Sequence, residues 1–197
     1  MEQTGLFLDN GHIMKKITTT LLTLLLLFTF FAIPARISAD QTNTQQDEQV
    51  VEESVDYDLP FSGMLPDSPF YIIKKARDHV HIFFTRDHIK KSELLLQVAD
   101  KKIVMAQELA EKEKWDLVVE TIKDSQTDTE QMISSMETGQ KIGTSASPEL
   151  ISLAQTSNEK HEEIMKQLLG NAPETNQEDI KDCIRQNVKN FNRLEQL

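Results

Sequence analysis

Residues 95–136, LLQVADKKIVMAQELAEKEKWDLVVETIKDSQTDTEQMISSM, decide the fold. Apolar side chains at Leu95, Val98, Ala99, Met105, Ala106 and Leu109, and again at Trp115, Val118, Val119, Ile122, Met132, Ile133 and Met136, recur at the spacing of a helix face. No Gly or Pro interrupts the chain between Pro69 and Gly139, so its breaks are read from capping and charge. The run Lys112-Glu113-Lys114-Trp115-Asp116 between the two apolar series reads as a turn, and the pair as an antiparallel hairpin.

Toward the N-terminus, Asp87 follows Phe83-Phe84-Thr85 and is placed to cap the first helix of that hairpin. Asp67-Ser68-Pro69 predicts an earlier helix, with Ser68 accepting free amide hydrogens and Pro69 at the first helical position, where its missing N–H costs nothing. Toward the C-terminus, Gly139 and Gly143 mark a loop, and Ser147-Pro148-Glu149 repeats the cap-then-proline signal. A helix then runs through Leu150, Leu153, Ala154, Ile164 and Leu168, and Gly170 and Pro173 end it. A last helix carries Ile180, Ile184, Val188, Phe191 and Leu194 along one face. Helices with a single apolar stripe are marginal alone in water and must pack together. The predicted fold class is therefore all-α, a small antiparallel bundle of about five helices over residues 57–197.

The chain ahead of the bundle reads differently. Met14-Lys15-Lys16 and the uncharged Leu- and Phe-rich run Ile17–Ile33 follow the basic-then-apolar export pattern, so 14–39 is expected to be a signal peptide cleaved after Ala39. The alternative is an uncleaved anchor, although Ile17–Ile33 is at the short end of the ~17–25 residues that span a bilayer. Residues 1–13 read as lying upstream of the true start, and no Cys follows the apolar run to carry a lipoprotein anchor. Residues 40–56, acidic and Gln/Thr-rich, are expected to be a disordered tether. After them Tyr57, Leu59, Phe61, Met64 and Leu65, interleaved with Pro60, Gly63 and Pro66, suggest an extended segment docked on the bundle.

Tyr57-Asp58-Leu59-Pro60, Leu65-Pro66-Asp67-Ser68-Pro69-Phe70-Tyr71, Phe83-Phe84-Thr85 and Lys90-Lys91-Ser92-Glu93-Leu94 together resemble a bacterial family known as domain of unknown function 5667. The resemblance covers about residues 57–170 and is most specific at the entry motif Leu65, Pro66, Asp67, Ser68, Pro69 and Phe70. It implies a helical, exported or membrane-tethered domain and assigns no catalytic residue.

Few residues suggest chemistry. His161-Glu162-Glu163-Ile164-Met165 has Met165 where a zinc-protease helix needs its second His, so His161 is expected on a solvated or interfacial charged face. His79 and His81 point away from each other on a helix, whereas His81 and His88 could meet across the bend at Asp87 and are the weak metal candidates. Nearly all the carboxylates fall on polar helix faces. No catalytic residue, cofactor or metal is expected. The only cysteine, Cys183, reads as a half-buried small hydrophobe, or else as one half of an intermolecular disulfide.

Charge gives direction. The chain carries −11 overall, but residues 70–91 carry +4. Lys74, Lys75, Arg77, Arg86, Lys90 and Lys91, beside Phe70, Tyr71, Phe83 and Phe84, could face an anionic membrane or cell-wall surface, or pair with acidic helices of the same bundle. So acidic a whole argues against nucleic acid. The expected function is an exported, non-enzymatic helical domain of the cell envelope that mediates protein–protein or surface interaction. Its partner would be another exported or membrane protein, or such a surface. The alternatives are a metal-binding or stress-chaperone-like helical protein and an enzyme with a dispersed site.

Overall fold

A short polar side chain ahead of an apolar-periodic run starts a helix by accepting the free amide hydrogens of its first turn. Asp87 accepts from the amides of Ile89 at 2.9 Å and Lys90 at 3.0 Å. Ser147 accepts from Leu150 at 3.2 Å, with Pro148 opening the helix. In the computed structural model, which describes residues 54–197, these caps open two of five helices: α1 (Tyr71–Phe84), α2 (His88–Glu111), α3 (Trp115–Lys141), α4 (Pro148–Asn171) and α5 (Glu174–Leu194). Among the described residues there is no strand, and the chain is all-α as its periodicity predicts. Residues 1–13, the expected signal segment 14–39 and most of the acidic tether lie outside the described residues.

The hairpin of α2 and α3 is closed by the backbone. At the end of α2, Glu113 takes φ 56°, its amide donates to Ala110 O at 2.9 Å, and Lys114 N donates to Leu109 O at 3.0 Å. This pairing satisfies the carbonyls that a helix end leaves free. The end of α3 repeats it with Gly143 at φ 84°, while Thr144 N donates to Gly139 O at 2.8 Å. Gly139 was expected in the loop but lies inside α3. A Cβ there would sit 2.6 Å from Thr144 O and 3.3 Å from His88 Cβ, so the chain turns back across a surface only glycine leaves open.

Helices α2–α5 form the bundle, α2 lying on α3 and α4 and α5 on α3 and α4. Two apolar clusters fill it. One joins Ile103, Leu109, Ile122, Ile164, Met165 and Ile180 with Cys183, and the other joins Leu95, Met132, Ile133, Met136, Leu150 and Leu194. Between them each of these four helices contributes buried polar side chains: Asp100 from α2, Ser125, Gln126 and Thr129 from α3, Ser157, Asn158 and His161 from α4, and Asn187 and Asn190 from α5.

Three local expectations are corrected. Helix α1 starts at Tyr71, not Pro69, and no side chain caps it. Ser68 N instead donates to Leu65 O at 3.0 Å, forming a turn that tucks Leu65 inward, while Asp67 is drawn to Lys114 at 2.8 Å and Lys112 at 3.1 Å. In α5, Asn187 and Asn190 face the core and Val188 is exposed, because the amides find partners on α3 and α4. The docked segment is held through Tyr57, Leu59, Ser62 and Leu65, leaving Phe61 83% exposed.

Gly139→Ala should lower stability by about 1–3 kcal/mol through overpacking, against the ~1 kcal/mol gain that Ala normally brings to a helix interior. Glu113→Gly should raise stability by about 1 kcal/mol by removing left-handed strain. Urea unfolding midpoints of the two variants check both signs.

Candidate functional site

The buried belt brings hydroxyl, imidazole and carboxyl groups together inside the bundle. Asp100 on α2 is 3% exposed, and its Oδ2 accepts from the Tyr57 hydroxyl at 2.6 Å. Its Oδ1 accepts from Ser157 at 2.6 Å and lies 2.9 Å from His161 Nε2. His161, expected on a charged face, is 1% exposed and fully inside. Successive inward positions of α4, namely Ala154, Ser157, His161, Ile164 and Leu168, keep one helix face, which is why the imidazole enters the core. Asp100 also departs from the expectation that carboxylates stay outside, as does Asp128 at 5% exposure.

Although Ser, His and Asp meet here, they are not arranged as a nucleophile relay. Ser157 Oγ approaches the same ring nitrogen, at 3.4 Å, that faces Asp100. A relay needs base and orienter on opposite ring nitrogens. Nδ1 is buried with no hydrogen-bond partner, which matches a ring that carries its proton on Nε2 and donates it to Asp100. Burial, and then its bond to Asp100, push the Tyr57 phenol above its ordinary pKa. The cluster therefore works as a clasp between the docked segment, α2 and α4. Val55 N, donating to Glu163 at 2.9 Å, adds a second tie to α4.

A second buried set closes on itself. Gln126 donates to Asn187 at 3.1 Å, Asn187 donates to Asn158 Oδ1 at 2.9 Å, and Asn190 donates to Gln126 at 3.2 Å. Satisfied polar networks of this kind specify one packing, because any other register strands the amides away from water.

Helix α1 is the exception to the bundle. It buries no residue, and its backbone approaches only α2 among the helices. Tyr71 and Ile82 face inward, while Ile72, Ile73, Val80, Phe83 and Phe84 face solvent, with Ile72 at 76% and Phe83 at 77% exposure. At 100° per residue those five, with Ala76, fall within an arc of about 120°. The helix thus has apolar residues on two faces, not the single stripe expected. That arc was the signal the sequence offered. Phe83 and Phe84 pack edge to face, with ring centroids 5.4 Å apart. Beside the helix a groove of about 550 Å³ is lined by His79, Val80, Ile82, Phe83, Lys91, Asp128 and Gln131.

The six expected surface bases divide between two tasks. Lys75 pairs with Asp124 on α3 at 2.7 Å, and that bond holds its ammonium pKa above the ordinary value. Lys74 lies 3.5 Å from Asp78 and 5.5 Å over the Tyr71 ring. Lys75 thus anchors α1 to the bundle, and Lys74 braces the helix's inner side. Arg77 reaches only its neighbour Asp78, Arg86 and Lys90 are exposed, and Lys91 lines the groove. In the entry motif, Leu65 is buried, Pro66, Asp67 and Ser68 are half-buried, and Pro69 and Phe70 are exposed. His81 is exposed on α1, and His88 opens α2 with Nδ1 3.4 Å from Ser135 Oγ. Among the described residues no group of three or more His, Cys, Asp or Glu side chains is placed to hold a metal ion. Cys183 is buried, and loss of solvation pushes its thiol pKa up to about 11.

Fold and surface define a class: an all-helical bundle with a buried polar belt and an uncovered amphipathic helix. Residues 63–191 match the family described as Domain of unknown function (DUF5667), and the chain belongs to that family. The match begins later than the resemblance seen in the sequence and reaches into α5. No curated protein and no solved structure matches the chain.

Tyr57→Phe should cost about 1.5–3 kcal/mol, the range for a hydrogen bond to a charged group, and should open the docked segment to limited proteolysis. Asp100→Ala, which strands the Tyr57, Ser157 and His161 donors together, should cost more, with each buried donor left unpaired worth about 1–3 kcal/mol. Cys183 should resist a maleimide at pH 8 in the native protein and react on denaturation. Rapid native labelling, or a disulfide-linked dimer on a non-reducing gel, would contradict its burial.

Proposed function

We propose that this chain is an exported, non-enzymatic helical domain of the bacterial cell envelope, and that it acts by presenting the outer face of α1 to another protein or to a surface. The observation that carries the reading is α1 itself: five large apolar side chains exposed on a helix that buries none. Contiguous exposed apolar surface on a soluble fold marks an interaction site. The surrounding architecture supports the same reading. Lys75 and Tyr71 hold the inner side of α1, so its outer face is presented on a fixed scaffold.

Export rests on the basic start at Lys15 and Lys16, the apolar run Ile17–Ile33 and the small residue Ala39. Among the described residues no helix is long and apolar enough to cross a membrane. The bundle is then carried across by its N-terminal segment, and cleavage after Ala39 releases it.

A photoreactive amino acid at Phe83 or Ile73, in the full chain in its native host, should give adducts with protein or lipid, while one at exposed Lys181 on α5 should give none. No adduct at either α1 position would overturn the reading. Ile73→Ser with Phe83→Ser should abolish interaction while shifting stability by no more than about 0.5 kcal/mol, as for surface sites. A loss of stability typical of core changes would show instead that the face is structural.

A further inference from the structure

We infer that the outer face of α1 docks on an anionic lipid bilayer, lying in the headgroup plane with Ile72, Ile73, Val80, Phe83 and Phe84 in the outer acyl region. This rests on the reading of α1 as the interaction face and names what covers it. The face belongs to a single helix that buries no residue and whose backbone approaches only α2 among the helices. At 14 residues it is far shorter than the ~20 that a spanning helix needs. Such a helix with a strong apolar face lies along an interface rather than crossing it.

The arrangement of charge favours lipid over other occupants. By helical geometry Arg77 and His81 fall at one edge of the apolar arc and His79 at the other. Arg86 follows the C-terminal end of α1 by two residues, Lys90 lies in the first turn of α2, and both are exposed. Bases so placed extend their heads to anionic headgroups while their stems cover apolar surface. Of the bases in 70–91, Arg77, Arg86 and Lys90 are exposed, whereas Lys74 and Lys75 turn to the inner side of α1, and the chain outside 70–91 carries −15. An anionic surface therefore attracts this face and repels the rest, which orients the domain with α1 down and the acidic bundle outward. A second copy is the poorer occupant, because pairing α1 with α1 would bring the exposed Arg77, Arg86 and Lys90 of both copies together.

The test uses the full chain with Trp115→Phe and Phe83→Trp, so that the sole tryptophan reports the α1 face whatever Ile17–Ile33 does in the vesicle. Vesicles of phosphatidylcholine, with or without phosphatidylglycerol, carry bromine on the acyl chains. The wild-type chain, whose single tryptophan Trp115 packs against the core, gives the background. Trp at position 83 should be quenched at least twofold more in phosphatidylglycerol-containing vesicles than in neutral ones. Adding Arg86→Gln and Lys90→Gln should remove that difference without changing the thermal unfolding curve. Equal quenching in both vesicle types, or none in either, overturns the inference. If quenching is absent while the photoreactive residue at 83 captures a protein in cells, the lipid inference fails and the interaction face stands. If both are absent, both readings fail.

Discussion

A carboxyl group placed at a core position must be bonded through both oxygens or the fold that buries it loses several kilocalories per mole. Asp100 meets that demand with partners from separate parts of the chain, Tyr57 ahead of the bundle and Ser157 and His161 on α4. The docked segment, α2 and α4 are thereby tied at one point. Because α2 is already paired with α3, and α4 with α5, a fixed α2–α4 register fixes the bundle. The amide set of Gln126, Asn158, Asn187 and Asn190 does for α3, α4 and α5 what Asp100 does for α2 and α4. An apolar core filled with Leu, Ile and Met tolerates sliding and rotation, whereas a belt of paired polar groups tolerates one alignment.

The scaffold gives α1 its odd position. The bundle closes without it, since both apolar clusters are built chiefly from α2–α5. What retains α1 is a rim of polar and mixed contacts: Lys75 with Asp124, Tyr71 against the bundle, and Ile82 at the edge of one cluster. A helix held this way does not need its remaining apolar side chains for stability, and those side chains are on the outside. Exposed Ile and Phe are costly for solubility, and the occupant proposed for this face would account for their presence.

The sequence made much of this legible because helices are announced locally. The caps at Asp87 and Ser147, Pro148 at a first turn, and the apolar series from Leu95 to Met136 each depend on residues near in sequence, and each stands in the structure. The belt was not legible for the opposite reason. Asn190 on α5, and Ser157 and His161 on α4, occupy inward positions of their helices but read as interruptions of the apolar stripe until their partners on other helices are known. Val188 and Phe191 looked like the better inward choices for the same reason. For α1 the pattern was plain but its meaning was not: apolar periodicity says that a face is covered, and covering by the chain's own core was the default. The six bases of residues 70–91 likewise read as one island, although Lys75 turns in to the bundle and Arg86 and Lys90 are exposed.

The central claim is that α1 is uncovered in the isolated protein and covered where the protein works. Hydroxyl-radical footprinting of the same chain, purified and in its native host, measures this at single side chains. The account predicts rapid oxidation of Ile72, Ile73, Phe83 and Phe84 in the purified protein and strong protection of all four in the cell. Met105, Met132 and Met165 in the core should be silent in both. Protection of α1 already in the purified protein, or equal oxidation in the two settings, would contradict it.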